Sequence, residues 1–109
     1  MLRDFFLGFV RIHILYHATK HPVYGLWLIK ELSHHGYKLS PGTLYPLLHS
    51  MEKSGYLHSS CEVVGGKRRK YYEATERGRE TLGETRGRIR ELVGEVMDSD
   101  KDTIQSPGT

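Results

Sequence analysis

Three groups of side chains in this 109-residue chain could do chemistry. The first is histidine. His13, His17 and His21 are spaced at i, i+4 and i+8, and two imidazoles one helical turn apart make half a site for zinc, nickel or cobalt. His34, His35, His49 or Cys61 would have to complete it, and nothing in the sequence places any of them beside the pair. The sequence therefore assigns no metal ligand and no cofactor. The second group is Lys67-Arg68-Arg69-Lys70, four cations in a row. Such a run must be solvated or face an anion, and a phosphate backbone is the obvious anion. The third group lies in residues 40–57, SPGTLYPLLHSMEKSGYL, where Ser40, Thr43, Tyr45, His49 and Lys53 offer hydrogen-bonding groups to phosphates or base edges. The chain has no nucleophile elbow, no HExxH, no phosphate-binding loop and no paired carboxylates, so no enzyme is expected.

The elements that must carry these groups can be read from periodicity. Ser40 is a cap and Pro41 suits a first helical turn. Leu44, Leu47, Leu48 and Met51 recur at i, i+3, i+4 and i+7, which makes one apolar stripe, and Gly55 stands where a helix turns left-handed at its end. A short amphipathic helix with small polar groups at its start suits a DNA major groove. Residues 57–64 and 68–74 read as strands around a Gly65-Gly66 turn, with the cations at its tip. Cys61 reads as a small hydrophobe within the first strand. A helix followed at once by a basic-tipped hairpin is the winged helix-turn-helix layout. The fold class is thus mainly α with a small β part (α+β).

Upstream, Leu2, Phe5, Phe6, Phe9, Ile12, His13 and Tyr16 give a wide apolar face to a helix over residues 2–19, which Pro22 stops. Part of that face should pack on the core and part on a second subunit. Residues 23–33 form a second helix that positions the recognition helix, with Trp27, Leu28, Ile29 and Leu32 as its buried candidates. Downstream, Thr75 caps a helix over residues 76–98. Its stripe is Leu82, Ile89, Leu92, Val93, Val96 and Met97. At about 1.5 Å per residue this helix outruns a winged domain, so it should protrude and pair with a partner helix. The expected organisation is a winged DNA-binding domain over 1–75, a dimerisation helix over 76–98 and a disordered polar tail over 99–109. Phe5, Phe9, Leu82, Ile89, Leu92, Val93 and Val96 are the expected dimer contacts.

Charge is divided along the chain. Residues 1–72 carry ten Lys/Arg and four Asp/Glu, net +6, whereas residues 73–109 carry six and nine, net −3. A basic reading head is what a nucleic-acid binder shows. No apolar run approaches the roughly 18–20 residues of a membrane span. The start MLRDFFLGFVRIHIL carries charges and no small-residue cleavage site, so it reads as a helix and not as a signal peptide. One cysteine excludes an intrachain disulfide and fits a cytoplasmic location.

Gly42-Thr43-Leu44-Tyr45-Pro46-Leu47-Leu48, the helix end Glu52-Lys53-Ser54-Gly55, then Arg68-Arg69-Lys70-Tyr71-Tyr72 and Thr75-Glu76-Arg77-Gly78 together resemble the PadR family of bacterial transcriptional regulators. Tyr24-Gly25-Leu26-Trp27-Leu28-Ile29 occupies the place of that family's Gly-Tyr-led second helix, with the first two residues exchanged. The resemblance spans about residues 5–96. It implies DNA contact by Tyr45 and Tyr24, and a dimer made by the C-terminal helix, as in the short form of the family. The expectation is a dimeric, sequence-specific repressor that binds a double-stranded operator and is released by a small apolar effector. Tyr24, Ser40, Thr43, Tyr45, His49, Lys53, Lys67, Arg68 and Arg69 would touch the DNA. The alternatives are a winged protein-interaction module without DNA binding, against which the four wing cations argue, and a metal-responsive repressor.

Overall fold

A computed structural model describes residues 2–105, with side chains for residues 2–98. In chain order the elements are α1 (Leu2–Lys20), α2 (Gly25–His34), α3 (Pro41–Lys53), β1 (Leu57–Val64), β2 (Lys67–Ala74) and α4 (Glu76–Gln105).

The α3 helix begins as its residue types dictate. Ser40 is extended (φ −83°, ψ 158°), its hydroxyl accepts the Thr43 N–H at 3.3 Å, and Pro41 occupies the first turn. Leu44, Leu47, Leu48 and Met51 point into the core. They meet Val10, Ile14, Leu15 and Ala18 of α1, Leu28 and Leu32 of α2, and Leu57, Tyr72 and Leu82.

On α1 the expected stripe only flanks the core: Phe6 and Ile12 pack partly against it, and none of its seven residues is fully buried. Leu2, Phe5, Phe9 and Tyr16 are exposed, while Val10, Ile14, Leu15 and Ala18 enter the core. Apolar residues lie on several sides of this helix, so periodicity alone could not select the inner side. On α2, Leu28 and Leu32 are fully buried, whereas Trp27 and Ile29 pack only partly against the core.

The hairpin turns on Gly65 and Gly66, both with positive φ (57° and 80°), the geometry of a tight two-residue hairpin connection. Strands β1 and β2 pair antiparallel from Leu57 opposite Ala74 to Val64 opposite Lys67. From Ser60 to Val64 β1 is exposed, so the hairpin leaves the body as a wing. Cys61 is therefore exposed and not packed as a small hydrophobe. The base of the wing is anchored twice. Val23 and Tyr72 exchange backbone hydrogen bonds of 2.9 and 2.7 Å, adding a one-residue third strand. Glu52, at the end of α3, accepts the Ser59 N–H (3.1 Å) and hydroxyl (2.5 Å) and lies 3.8 Å from Lys70 Nζ.

Thr75 caps α4 by accepting the Gly78 N–H at 3.0 Å, and its hydroxyl donates to the Gly55 carbonyl at 2.6 Å. Leu82 is 4% exposed in the core of its own chain, so it is a core residue and not part of the outer stripe. Ile89, Leu92, Val93, Val96 and Met97 remain exposed. The helix continues to Gln105 instead of ending at Asp98. No proline interrupts it before Pro107. The remainder of the expected tail, residues 106–109, lies outside the described residues. Thirty residues make a rod of about 45 Å, which explains overall extents of 66 × 28 × 21 Å. Among the described residues no helix is long and apolar enough to cross a membrane.

Candidate nucleic-acid interface

With its apolar stripe in the core, α3 presents Gly42, Tyr45, Pro46, His49 and Lys53 outward. Ser40 is also exposed, but its hydroxyl serves the cap and lies 3.3 Å from Thr43 Oγ1. These two hydroxyls are thus partly committed to each other. Glycine at position 25 is required by Tyr45. A Cβ there would collide with the Tyr45 hydroxyl and lie 2.5 and 2.7 Å from its ring carbons Cζ and Cε1. The start of α2 thus lies flat against the recognition helix and holds the phenol at the surface.

Tyr24, the N-cap residue of α2, reaches the wing. The Arg69 guanidinium carbon sits 4.1 Å from the centre of its ring, a cation–π contact, and Tyr24 meets Tyr71 edge-to-face at 5.5 Å. Arg69 also donates weakly to the Tyr71 hydroxyl, at 3.5 Å, and that contact raises the guanidinium pKa further. Lys70 turns back toward Glu52 and lies over the Tyr72 ring at 5.5 Å. Lys67 and Arg68 form no ion pair among the described residues and are exposed at the tip.

Tyr24, Tyr45, Lys67, Arg68 and Arg69 line one cleft of about 250 Å³ between the start of α2, α3 and the wing, together with Gly25 and Leu26. Five of the nine residues expected to contact DNA are therefore gathered in one place. Thr43 lies on the opposite flank of α3, in a recess with Pro46 and Ser50. Arg3 and Arg11 of α1 share that recess. These two arginines add cations to the second flank, and no motif in the sequence pointed to them. His49 and Lys53 are exposed further along α3 and line neither depression.

Glu52 was also not legible as a site residue. The Ser59 hydroxyl holds its carboxyl below the usual carboxylate range, helped by the Ser59 N–H and Lys70 and opposed by partial burial. It orients the wing relative to α3 without facing the cleft.

A capped helix held by a helix-turn-helix, flanked by a two-stranded basic wing, defines a winged helix-turn-helix protein. Residues 14–84 match the Transcriptional regulator PadR-like family. The chain is 50% identical over 96 residues to the transcriptional regulator Rv3488 of Mycobacterium tuberculosis, covering 88% of this chain and 90% of that one. Its fold is similar to a crystal structure of a PadR family transcriptional regulator from Eggerthella lenta, with a TM-score of 0.78 and 33% identity, over 90% of this chain and 87% of that one. A PadR-like transcriptional regulator from Bacillus cereus superposes with a TM-score of 0.69 at 32% identity, over 91% and 94% of the two chains. The chain belongs to the PadR-like family of transcriptional regulators. It is a regulator and not an enzyme.

Proposed function

We propose that the protein is a homodimeric, sequence-specific DNA-binding repressor. The α3 helix enters the major groove, and the wing lies along the flanking phosphates. The observation that carries this reading is the cleft in which Tyr24, Tyr45, Lys67, Arg68 and Arg69 converge beside the outward face of α3. Tyr45 and Tyr24 present phenol groups to phosphates. Lys67 and Arg68 supply affinity that does not depend on sequence, while Thr43, His49 and Lys53 reach toward base edges or the adjoining backbone. Arg3 and Arg11 extend the basic surface past the far side of α3.

Dimerisation is inferred from apolar surface. Phe5, Phe9, Leu92 and Val93 are all at least half exposed, and a chain of this size rarely leaves such a face in water. Between α1 and α4 runs an apolar groove of about 770 Å³, lined by Phe9, Tyr16, Ile89, Val93 and Met97. A second copy packed along Ile89, Leu92, Val93 and Val96 closes this groove into a pocket of a size and polarity suited to a small apolar effector. Occupancy of the pocket then alters the spacing of the two reading heads, which the two-fold axis sets at about 34 Å for half-sites one turn apart.

Fluorescence anisotropy with a duplex from the protein's own upstream region, against a scrambled duplex at two salt concentrations, tests the reading. Tighter binding to the native duplex at both salts is expected. Lys67→Ala with Arg68→Ala should weaken both duplexes alike and lower the log–log salt slope by roughly 0.9 per lost phosphate contact. Loss on the native duplex alone would assign the wing to base reading. Absence of binding to either duplex at low salt would favour a protein-interaction module.

A further inference from the structure

We propose that His13, His17 and His35, with the Glu31 carboxylate as fourth ligand, form a binding site for a divalent transition metal of the zinc, cobalt and nickel class. The fold supplies what the sequence spacing lacked. His13 and His17 face one way from α1, and the C-terminal end of α2 delivers Glu31 and His35 to the same point. One donor nitrogen from each of the three imidazoles lies within 4.8 Å of the other two. Glu31 Oε2 is 3.0 Å from His35 Nε2 and 3.7 Å from His17 Nε2. Ligand atoms about 2.0–2.1 Å from a tetrahedral zinc lie roughly 3.3 Å apart, so Glu31 already stands at a ligand's distance from two of the rings. The nitrogens, up to 4.8 Å apart, must approach to roughly 3.3 Å to share one tetrahedral centre, and His35 is exposed enough to move.

A second observation is independent of the spacing. His17 Nε2 is buried without a hydrogen-bond partner, and the Glu31 oxygen at 3.7 Å is too distant to be one. Buried polar atoms are ordinarily satisfied. A metal ion satisfies this one. Burial, the largest cause, lowers the pKa of both His13 and His17. The His13 and His35 rings are stacked with centroids 4.8 Å apart, so the two elements already bring these imidazoles together. Three imidazoles and one carboxylate suit borderline cations and not magnesium or calcium.

All four side chains line the wall of the α1–α4 groove, opposite Ile89 and Val93. A bound ion ties α1 to the end of α2, whose other end carries Tyr24 and Gly25 at the DNA face. The site itself does not rest on the repressor reading, since it is scored on protein without DNA.

Trp27 is the only tryptophan, and it meets the His17 ring edge-on at 5.4 Å. The full chain, stripped of metal by chelation, is titrated with cobalt(II). Visible d–d absorption and Trp27 fluorescence are followed, and zinc(II) is then added as competitor. The expected result is saturable one-to-one binding, intense tetrahedral-type absorption, quenching of Trp27 and displacement by zinc. Because His35 is 44% exposed and lies outside the apolar core, His35→Ala tests the site without risk to the core. It and His17→Ala should weaken cobalt binding by more than the roughly 10- to 100-fold that loss of an outer-shell partner costs. His58→Ala, at an exposed histidine of β1, should bind as the parent does. Weak, unsaturable binding, or equal affinity in His35→Ala and the parent, would overturn the assignment.

Discussion

Gly25→Ala isolates the contact that sets Tyr45 on the DNA-facing surface. The added Cβ would overlap the Tyr45 hydroxyl and lie 2.5 and 2.7 Å from two ring carbons, far inside the ~3.5 Å at which carbon atoms ordinarily meet. The ring is 44% exposed, so it can swing toward solvent while the two helices stay in place. Helix propensity alone favours alanine over glycine by about 1 kcal/mol. The displaced ring loses burial of about the same worth. The net change in stability is therefore less than about 1 kcal/mol, a Tm shift within about 4–8 °C for a domain of this size. DNA affinity responds differently. A hydrogen bond from the Tyr45 phenol to a charged phosphate is worth about 1.5–3 kcal/mol, or roughly 10- to 150-fold per half-site. Anisotropy on Gly25→Ala, Tyr45→Phe and the double variant completes a mutant cycle. Each single variant should lose affinity, and the double should lose no more than the worse single. Additive losses would mean that Gly25 acts by another route, and full affinity in Tyr45→Phe would remove Tyr45 from the phosphate contacts.

Two further outcomes test the scaffold. Ile89→Asp with Val93→Asp places charges on the outer stripe of α4 and should convert dimer to monomer in sedimentation velocity while helicity is retained; a variant that stays dimeric would move the interface elsewhere. Glu52→Gln should cost about 1 kcal/mol by weakening the Ser59 contacts, and it should flatten the acid limb of the stability curve. The sign follows from the depressed pKa of Glu52 in the folded state. Its contribution is full above the ordinary carboxylate value and is lost as pH falls through the folded value. Chemical denaturation from pH 7 down to pH 3 reads it directly, and identical acid limbs in parent and variant would show that Glu52 contributes no such term.

Local chemistry carried much of this protein. The Ser40 cap, Pro41 and the stripe from Leu44 to Met51 specify α3 within one stretch of chain, because each relation spans no more than two helical turns. Gly65-Gly66 sets the hairpin for the same reason, and Thr75 sets the start of α4. The run of cations from Lys67 to Lys70 follows the glycine pair directly, so the tip is basic however the wing is placed. What depended on distant residues was not legible. Which side of α1 entered the core was decided by packing, because that helix is apolar around much of its circumference. Leu82 belonged by period to the outer stripe, yet the body of the domain covers the first turns of α4 and takes it into the core. Gly25 has no local signature, since its reason is the Tyr45 ring one helix away. Arg3 and Arg11 flank α3 only because α1 crosses beside it. His35 joins His13 and His17 for the same kind of reason. Four-residue spacing places two imidazoles on one face, but only the crossing of α1 and α2 brings in the third ring and the carboxylate.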